Sequence, residues 1–222
     1  MTDLTFYKTL VFDCDGVVLN SNKIKTRAFY DVASIYGHKV AKEFKDYHCE
    51  NGGISRYAKF EYLITDILNA KLEQQLLQSL LDDFAHKVKQ ALITCEVAKG
   101  LETLRQKTKL ANWLIVSGGD QSELREVFAD RRLDKYFDGG IFGSPDNKDA
   151  ILKRELNSKN ITKPAIFIGD SKYDYEVAQL SGLDFIFLTG WTDVEDFSSW
   201  CDEKSISTSL NIESLQSGYF DC

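Results

Sequence analysis

Hydrophobic positions along the chain change their spacing twice. Residues 7–12 form an apolar run too short for a helix, which polar residues end, and this predicts a buried strand followed by a loop. From residue 21 to residue 36, apolar side chains recur at helical spacing until Gly37. Two more helical stretches, 55–68 and 72–92, follow with no strand pattern between them. This part of the chain is therefore predicted to be all-helical.

Beyond residue 96, short apolar runs alternate with helical patterns. Strands are predicted at 111–116, 140–142, 165–168 and 184–188, with a weak edge strand at 204–208. Helices are predicted between them, at 101–107, 121–131, 149–156 and 173–180. Such alternation is typical of a buried parallel sheet covered by helices, so the sequence predicts a doubly wound, Rossmann-like α/β fold. The polar tail after residue 209 is expected to be peripheral.

The helical stretch interrupts the α/β pattern after its first strand. We therefore predict an α/β core of residues 1–19 and 96–222 and a helical insert, or cap, of residues 20–95. A length of 222 residues fits one domain with an insert or two small domains, because domains hold roughly 150 residues. The two junctions are where the insert is expected to hinge.

Composition narrows the functional classes. With 27 Lys and Arg against 34 Asp and Glu, the formal net charge is −7, which argues against a nucleic-acid or anionic-lipid clamp. No apolar run is long enough to cross a bilayer, and no signal peptide is visible. The five cysteines form no C-x-x-C pair, so reduced thiols and a cytoplasmic location are expected. His38, His48 and His86 lack metal-ligand spacing and are expected in surface or loop positions.

Polar residues follow the predicted strands, where each strand ends. The first strand leads into Asp13 and Asp15, and the second into Ser117, Gly118 and Gly119. Lys148 follows the third strand after a short loop, and Asp170 and Asp174 follow the fourth. Because ligands bind outside the carboxyl ends of parallel strands, we expect these residues to share one edge of the sheet.

Crowded carboxylates repel one another, so either their pKa values rise or a cation lies among them. Oxygen ligands without His or Cys favour a hard ion, above all Mg²⁺. A lysine, a hydroxyl group and backbone N–H groups opposite that ion would hold the oxygens of a phosphoryl group. This set of groups is the one that phosphoryl transfer uses.

The order of these groups resembles a known family. Four motifs occur along the chain: DCDGVV at residues 13–18, Ser117, Lys148 and GDSKYD at residues 169–174. They resemble the motifs of the haloacid dehalogenase superfamily, phosphatase branch, over nearly the whole chain. The helical insert is similar to the cap of its phosphoglycolate phosphatase and β-phosphoglucomutase-like members.

The resemblance implies roles for the aspartates. Asp13 would be the nucleophile that forms an aspartyl-phosphate. Asp15 would be the general acid and then the general base, and its backbone carbonyl would face Mg²⁺. Asp13 and Asp170 would supply carboxylate ligands, with Asp174 either binding the metal or standing behind its ligands.

The resemblance also implies which groups hold the phosphoryl group. Ser117 and the Gly118 amide would bind its oxygens. Lys148 would neutralise its charge and pair with the nucleophile.

A short loop of the insert is the candidate substrate-recognition element. Residues 51–56 place Gly53 and Ser55 just before a helix, with Arg56 in its first turn. They resemble the cap loop of β-phosphoglucomutase-like proteins, where the arginine meets the substrate, although Gly52 stands where those mutases carry a lysine. The alternative is a plain helix entrance with a solvated arginine.

Three functions remain open at this point. The favoured one is a Mg²⁺-dependent phosphatase acting on a small phosphorylated metabolite such as a sugar phosphate, with no nucleic-acid or membrane partner. The second is a phosphosugar mutase, and the third is a non-catalytic binding or regulatory protein on the same fold. The oligomeric state and the substrate are left open.

Overall fold

The described part of the chain, residues 3–216 of this computed structural model, folds around a six-stranded parallel sheet. The strands are β1 Thr9–Phe12, β2 Asn112–Asp120, β3 Gly140–Ser144, β4 Ala165–Gly169, β5 Asp184–Leu188 and β6 Thr208–Ser209. Their order across the sheet is β3-β2-β1-β4-β5-β6. The chain thus builds outwards from β1 in one direction and then, from β4, in the other. The predicted doubly wound fold is confirmed.

Strand β1 lies at the centre of this sheet and is buried on both faces. Leu10 and Phe12 belong to one hydrophobic cluster and Val11, between them, to another. Successive strand side chains point to opposite faces, so a strand covered on both sides is mainly apolar on both faces. This explains the continuous apolar run at residues 10–12.

Helices cover the sheet and fill the segment between β1 and β2. They are α1 Asn22–Ala33, α2 His38–Glu50, α3 Arg56–Tyr62, α4 Gln74–Thr94, α5 Leu101–Lys107, α6 Gln121–Asp130, α7 Lys148–Asn157, α8 Lys172–Ser181 and α9 Phe197–Lys204. Four rings, one from each of the first four helices, pack together in the insert: Phe29 lies 5.5 Å from Phe44, 5.5 Å from Phe60 and 4.3 Å from Phe84, centroid to centroid. The same hydrophobic cluster continues to Leu10 under the sheet, so the division at residues 19 and 95 stays a prediction.

Two helices were missed by the sequence interpretation. Helix α2 was absent from the predicted pattern because only Ala41 and Phe44 on it are buried, which leaves too narrow an apolar face. Helix α9 buries only Cys201 and was missed for the same reason. The edge strand predicted at 204–208 is wrong in its bounds, since Lys204 ends α9.

Three further corrections concern the end of β2, the tail of the chain and His48. Strand β2 continues through Ser117 to Asp120 instead of stopping before it, with a register shift against β3 in that stretch. The tail after residue 209 is not peripheral throughout, because Ile212 and Leu215 are buried in the core. Residues 217–222, including Cys222, lie outside the described residues.

His48 belongs to the partly buried part of α2, not to a loop or the surface.

Across residues 3–216, we find no helix with the length and apolar character needed to span a membrane. The cytoplasmic location stays a prediction.

Candidate active site

Three carboxylates meet at the carboxyl ends of β1 and β4, where the order of the strands reverses. Phe12 pairs with Ile168 in the sheet, so Asp13 and Asp170 leave neighbouring strands almost side by side. Asp174, in the first turn of α8, joins them, and one oxygen from each residue lies within 4.8 Å of the others. All three residues are buried. The three predicted side-chain metal ligands are thus brought together.

Lys148, the first residue of α7, lies inside this group. Its Nζ is 2.9 Å from Asp13 Oδ2 and 2.5 Å from Asp174 Oδ1. Burial alone would lower the pKa of Lys148, but the charges of the two carboxylates raise it above its ordinary value. Lys148 is therefore a permanent cation next to the predicted nucleophile.

Asp174 has a second structural task. Its Oδ2 accepts hydrogen bonds from the Ser171 amide and hydroxyl, at 3.2 and 2.7 Å, and forms a capping box at the start of α8. Because its Oδ1 is held by Lys148, both oxygens of Asp174 are engaged by protein donors. In this arrangement Asp174 positions Lys148 and the helix behind Asp170.

The carboxylates carry more negative charge than Lys148 can balance. Burial raises the pKa of Asp13 to about 7, with repulsion from Asp174 and Asp15 adding to the shift and Lys148 opposing it. Burial and the charges of Asp13 and Asp174 also raise the pKa of Asp170 well above its ordinary value. A cation among buried carboxylates that repel one another in this way would stabilise their charged forms. An all-oxygen donor set suits a hard divalent ion, so the residues fit the expected metal.

The side chain of Asp15 contacts the insert and is not part of this group of three. It accepts a hydrogen bond from Ser21 Oγ at 2.5 Å and pairs with Lys25 on α1. Burial alone would raise the pKa of Asp15, but the charge and hydrogen bond of Lys25 lower it. The side chain of Asp15 is thus separate from the three clustered carboxylates, and the predicted role of its backbone carbonyl at the metal remains a prediction.

The glycines of β2 and of the insert loop touch. A Cβ atom built on Gly118 would lie 2.5 Å from the Gly53 carbonyl oxygen. Gly53 has φ +80°, and its own Cβ would lie 2.7 Å from Ser171 Oγ and 3.4 Å from Lys148 Nζ, so only glycine fits there. Ser117 is fully buried, and its Oγ accepts a hydrogen bond from the Gly119 amide. The insert loop therefore reaches the catalytic edge, as expected.

Ser55 and Arg56 follow this loop at the start of α3. Ser55 caps the helix by accepting a hydrogen bond from the Tyr57 amide, as the sequence predicted. The Arg56 guanidinium is 4% exposed and bonded to Glu123 on α6, so the alternative of a solvated arginine is wrong. Contact between Arg56 and substrate stays a prediction.

Sequence reasoning missed several polar residues of the site. Asn22 Nδ2 donates to Asp170 Oδ2 and to the Trp191 carbonyl, each at 2.8 Å. Lys25 and Lys59 are buried lysines of the insert. The available signal was that both interrupt an apolar helical face, Lys25 one turn before Phe29 on α1 and Lys59 next to Phe60 on α3.

These groups surround a cavity of about 70 Å³. The sheet side contributes Asp13, Asp15 and Asp170, and the insert contributes cationic side chains. A wider groove of about 780 Å³ adjoins it and shares Gly52 and Ser171 with its lining. A buried carboxylate beside a fixed ammonium, with two further carboxylates close by, is the set of groups that phosphoryl transfer uses.

Comparison with known proteins agrees with this class. A model of the haloacid dehalogenase-like hydrolases matches residues 7–182. The chain therefore belongs to that family of hydrolases, and the resemblance predicted from its motifs is confirmed. Among curated proteins, none matches the chain significantly.

Several solved structures share the fold. A predicted phosphoglycolate phosphatase from Haemophilus somnus is 16% identical with a TM-score of 0.63, the match covering 84% of this chain and 87% of that one. A predicted phosphatase from Clostridium acetobutylicum is 20% identical with a TM-score of 0.67, covering 87% and 90%. A candidate β-phosphoglucomutase from Thermotoga maritima is 18% identical with a TM-score of 0.62, covering 95% and 97%.

Proposed function

We propose that this hydrolase is a Mg²⁺-dependent phosphatase that cleaves a small phosphorylated metabolite through an aspartyl-phosphate on Asp13. The observation that carries the proposal is the buried contact of Asp13 with Lys148, beside two further carboxylates, Asp170 and Asp174. A nucleophile, a phosphoryl-binding cation and a metal site thus coincide in one place. The structural neighbours named as phosphatases support this choice.

The reaction has two steps. The Asp13 carboxylate attacks phosphorus, the ester P–O bond breaks, and Asp15 gives its proton to the leaving oxygen. Asp15 then takes a proton from water, whose oxygen attacks phosphorus, releases phosphate and restores Asp13. Mg²⁺, when bound, neutralises charge on the carboxylates and the phosphoryl oxygens. Lys25 pairs with Asp15 and lowers its pKa against the effect of burial, which favours the ionised form that takes a proton from water in the second step.

The phosphoryl oxygens would be held by this chain's own donors. Lys148 presents its ammonium beside Asp13, and we assign the Ser117 hydroxyl and the Gly118 amide to the remaining oxygens. Such positioned donors stabilise charge that develops in the transition state.

The insert would act as a cap that opens for substrate and closes over it. Metabolite pockets usually measure about 300–1,000 Å³, whereas this cavity measures about 70 Å³. A sugar phosphate therefore needs the insert, residues 20–95, to move away from the sheet. In the closed state Gly53, Ser55 and Arg56 would face the part of the substrate beyond the phosphoryl group.

A phosphosugar mutase is the second candidate. The small volume of the cavity favours it, because a mutase must keep water from the aspartyl-phosphate and return the phosphoryl group to another hydroxyl. The candidate β-phosphoglucomutase among the neighbours supports the same alternative.

The test is turnover by the full chain. Release of phosphate from p-nitrophenyl phosphate and from a panel of phosphorylated sugars is measured with and without Mg²⁺. We expect phosphate release that needs Mg²⁺ and falls by about 10³-fold or more in Asp13→Asn, as for loss of a nucleophile. The matched control is Asp202→Asn, an exposed aspartate on α9, which should keep full activity.

Each other result has a clear meaning. Isomerised sugar phosphate with little free phosphate would replace the phosphatase by the mutase. Absence of any turnover across the panel would favour the third function, a non-catalytic protein on this fold. Activity that survives in Asp13→Asn would refute the assigned nucleophile.

A further inference from the structure

One buried cation of the cavity has no part in the proposed chemistry. Lys59, on α3 of the insert, lines the cavity and is 2% exposed. Its Nζ lies 2.8 Å from Nδ1 of His48 on α2. The question is what balances its charge.

The other cations around the cavity have carboxylate partners. Lys25 pairs with Asp15, Arg56 with Glu123, and Lys148 with two aspartates. Within residues 3–216, no carboxylate oxygen lies within 4.0 Å of Lys59 Nζ. Lys59 is thus a buried amine without a carboxylate partner.

A hydrogen-bond chain fixes the orientation of this lysine. Lys59 donates to His48 Nδ1, so the His48 Nε2–H donates to Thr26 Oγ1 at 3.1 Å, and that hydroxyl donates to Asp193 Oδ2 at 3.2 Å. Burial lowers the pKa of His48 well below its ordinary range, and the charge of Lys59 acts the same way. His48 is therefore neutral and accepts one of the three ammonium protons. The other two remain for a ligand.

Burial of an unpaired charge is strongly unfavourable. Burial, together with the charges of Lys25 and Lys148, lowers the pKa of Lys59 to about 7, although the charge of Asp15 opposes this shift. An anion bound beside the amine would reverse this effect, because an opposite charge favours the protonated form. The missing partner therefore has negative charge and enters with a ligand.

We propose that Lys59, oriented by His48, binds a second anionic group of the phosphorylated substrate, either a carboxylate or a second phosphate. The proposal rests on the phosphatase function and narrows its substrates to metabolites with an anionic group besides the reacting phosphoryl group. Arg56 and Lys25 are already paired with carboxylates, so Lys59 is the group of the insert with free charge for this contact. His48 is a positioning residue.

The groove that adjoins the cavity does not favour a substrate with a second anionic group. The adjoining groove is lined by Asp46, Glu50, Glu195 and Asp196, with Lys172, so its charge is mainly negative. Discrimination must therefore come from Lys59 after the substrate has entered. A preference for a cationic substrate would instead point to the groove.

Two matched substrate pairs test the proposal in the full chain with Mg²⁺. The first is 4-phosphoerythronate against erythritol 4-phosphate, which differ by a carboxylate. The second is fructose 1,6-bisphosphate against fructose 6-phosphate, which differ by a phosphate. In at least one pair, we expect kcat/KM to be about tenfold or more higher for the substrate that carries the second anionic group, as for a hydrogen bond to a charged group.

Substitutions of Lys59 show whether this side chain causes the preference for a second anionic group. Lys59→Met should bring the kcat/KM ratio close to one, mainly through KM of the doubly anionic substrate, while Lys59→Arg should retain most of it. Lys42→Met, an exposed position on α2, is the matched control and should keep the wild-type ratio. The pair that shows the preference tells whether the second group is a carboxylate or a phosphate.

The outcomes also separate this proposal from the phosphatase assignment. Equal kcat/KM within both wild-type pairs, or a preference that survives in Lys59→Met, would overturn the second anion site. If no substrate turns over, the phosphatase assignment fails, and calorimetric binding of 4-phosphoerythronate and erythritol 4-phosphate decides the site alone. Tighter binding of the carboxylate that Lys59→Met removes supports it, and equal affinities overturn it. Should Lys59→Met not fold, the wild-type ratios and Lys59→Arg give the same decision.

Discussion

Arg56 of the insert and Glu123 of α6 form a buried, two-pronged ion pair. Arg56 Nη1 and Nη2 donate to the two Glu123 carboxylate oxygens at 3.1 and 2.6 Å. The guanidinium also lies 4.8 Å from the centroid of the Phe84 ring on α4. The pair therefore links the start of α3 to a helix that packs on the sheet, across the cavity.

Glu123→Ala should destabilise the protein strongly, because it leaves the Arg56 guanidinium buried without a partner. Removal of one member of a buried pair costs about 3–5 kcal/mol. At roughly 2–4 °C per kcal/mol for a chain of this size, Tm should fall by about 6–20 °C. Thermal unfolding followed by circular dichroism measures it.

The chain offers a matched control for this pair. Lys89 on α4 and Glu126 on α6 form an exposed ion pair between the insert and the same helix, and such pairs contribute only about 0–1 kcal/mol. Glu126→Ala should therefore hardly change Tm. The double variant Arg56→Met/Glu123→Leu should be more stable than Glu123→Ala alone. If the loss of stability in Arg56→Met/Glu123→Leu equalled the sum of the losses in Arg56→Met and in Glu123→Leu, the pair would not be coupled.

The catalytic edge could be predicted from the sequence because strand ends are local features. A continuous apolar run located β1 and β4, and the rule that parallel strands end at one edge brought Asp13 and Asp170 together. The start of α6 is local in the same way, because Asp120 directly before it accepts a hydrogen bond from the Glu123 amide. These inferences needed only neighbouring residues and the fold class.

The insert side of the site could not be predicted in the same way. A lysine in a helix is usually exposed, and the place of Lys59 beside Phe60 does not by itself show that it is buried. Burial of Lys59 depends on His48, eleven residues away on a helix whose apolar face was too narrow to recognise. Likewise, the partner of Lys25 is Asp15, on a different element.

Removal of a carboxylate should separate the stability of the metal-free protein from its response to Mg²⁺. Asp170→Asn relieves repulsion with Asp13 and Asp174, so the metal-free variant should unfold at a higher Tm than the metal-free wild type. Mg²⁺ should raise the wild-type Tm, since a ligand at 100 times its Kd contributes about 2.7 kcal/mol. The same addition should leave Asp170→Asn almost unchanged. Thermal unfolding after EDTA treatment and after readdition of Mg²⁺ measures both effects.

The control for this prediction is Asp202→Asn, which should respond to Mg²⁺ like the wild type. An equal Mg²⁺ shift in Asp170→Asn would show that the ion binds elsewhere.

A methyl group at Gly118 should interfere with closure of the insert. In Gly118→Ala the added Cβ would lie 2.5 Å from the Gly53 carbonyl oxygen and 3.0 Å from that of Ile54, so the loop must retreat. Misplacement of a catalytic constellation by about 1 Å can cost 10²-fold in rate, and we expect kcat/KM to fall by about that factor. Steady-state kinetics with p-nitrophenyl phosphate and Mg²⁺ measures it.

Gly119→Ala is the comparison next in the chain. The atoms nearest to its Cβ would be those of the Leu124 side chain, at 3.3–3.4 Å, which can shift slightly. Activity should therefore survive better than in Gly118→Ala. Equal losses in both variants would contradict the closure explanation.

The buried amine of Lys59 should make the protein less stable than a variant without it, and the difference should depend on pH. The pKa of Lys59 is lowered from 10.5 to about 7 by folding, so between these values the unfolded chain binds a proton that the folded chain has lost. Stability of the wild type should therefore rise as pH increases from about 7 towards 10.5, and the full penalty should apply below pH 7. Replacement of buried charge by an apolar side chain often stabilises by about 1–4 kcal/mol, so we expect Lys59→Met to exceed the wild type by such an amount at pH 6.

Urea unfolding at pH 6 and pH 9.5 checks this prediction. The advantage of Lys59→Met should shrink at pH 9.5, whereas the exposed control Lys42→Met should differ little from the wild type at either pH. A larger advantage at pH 9.5, or a wild type more stable than Lys59→Met at both values, would show that Lys59 is not an unpaired buried base. If Lys59→Met is more stable than the wild type and also loses the preference for substrates with a second anionic group, the lower stability and the selectivity have the same cause. A buried binding group without a counter-ion lowers the stability of the ligand-free protein.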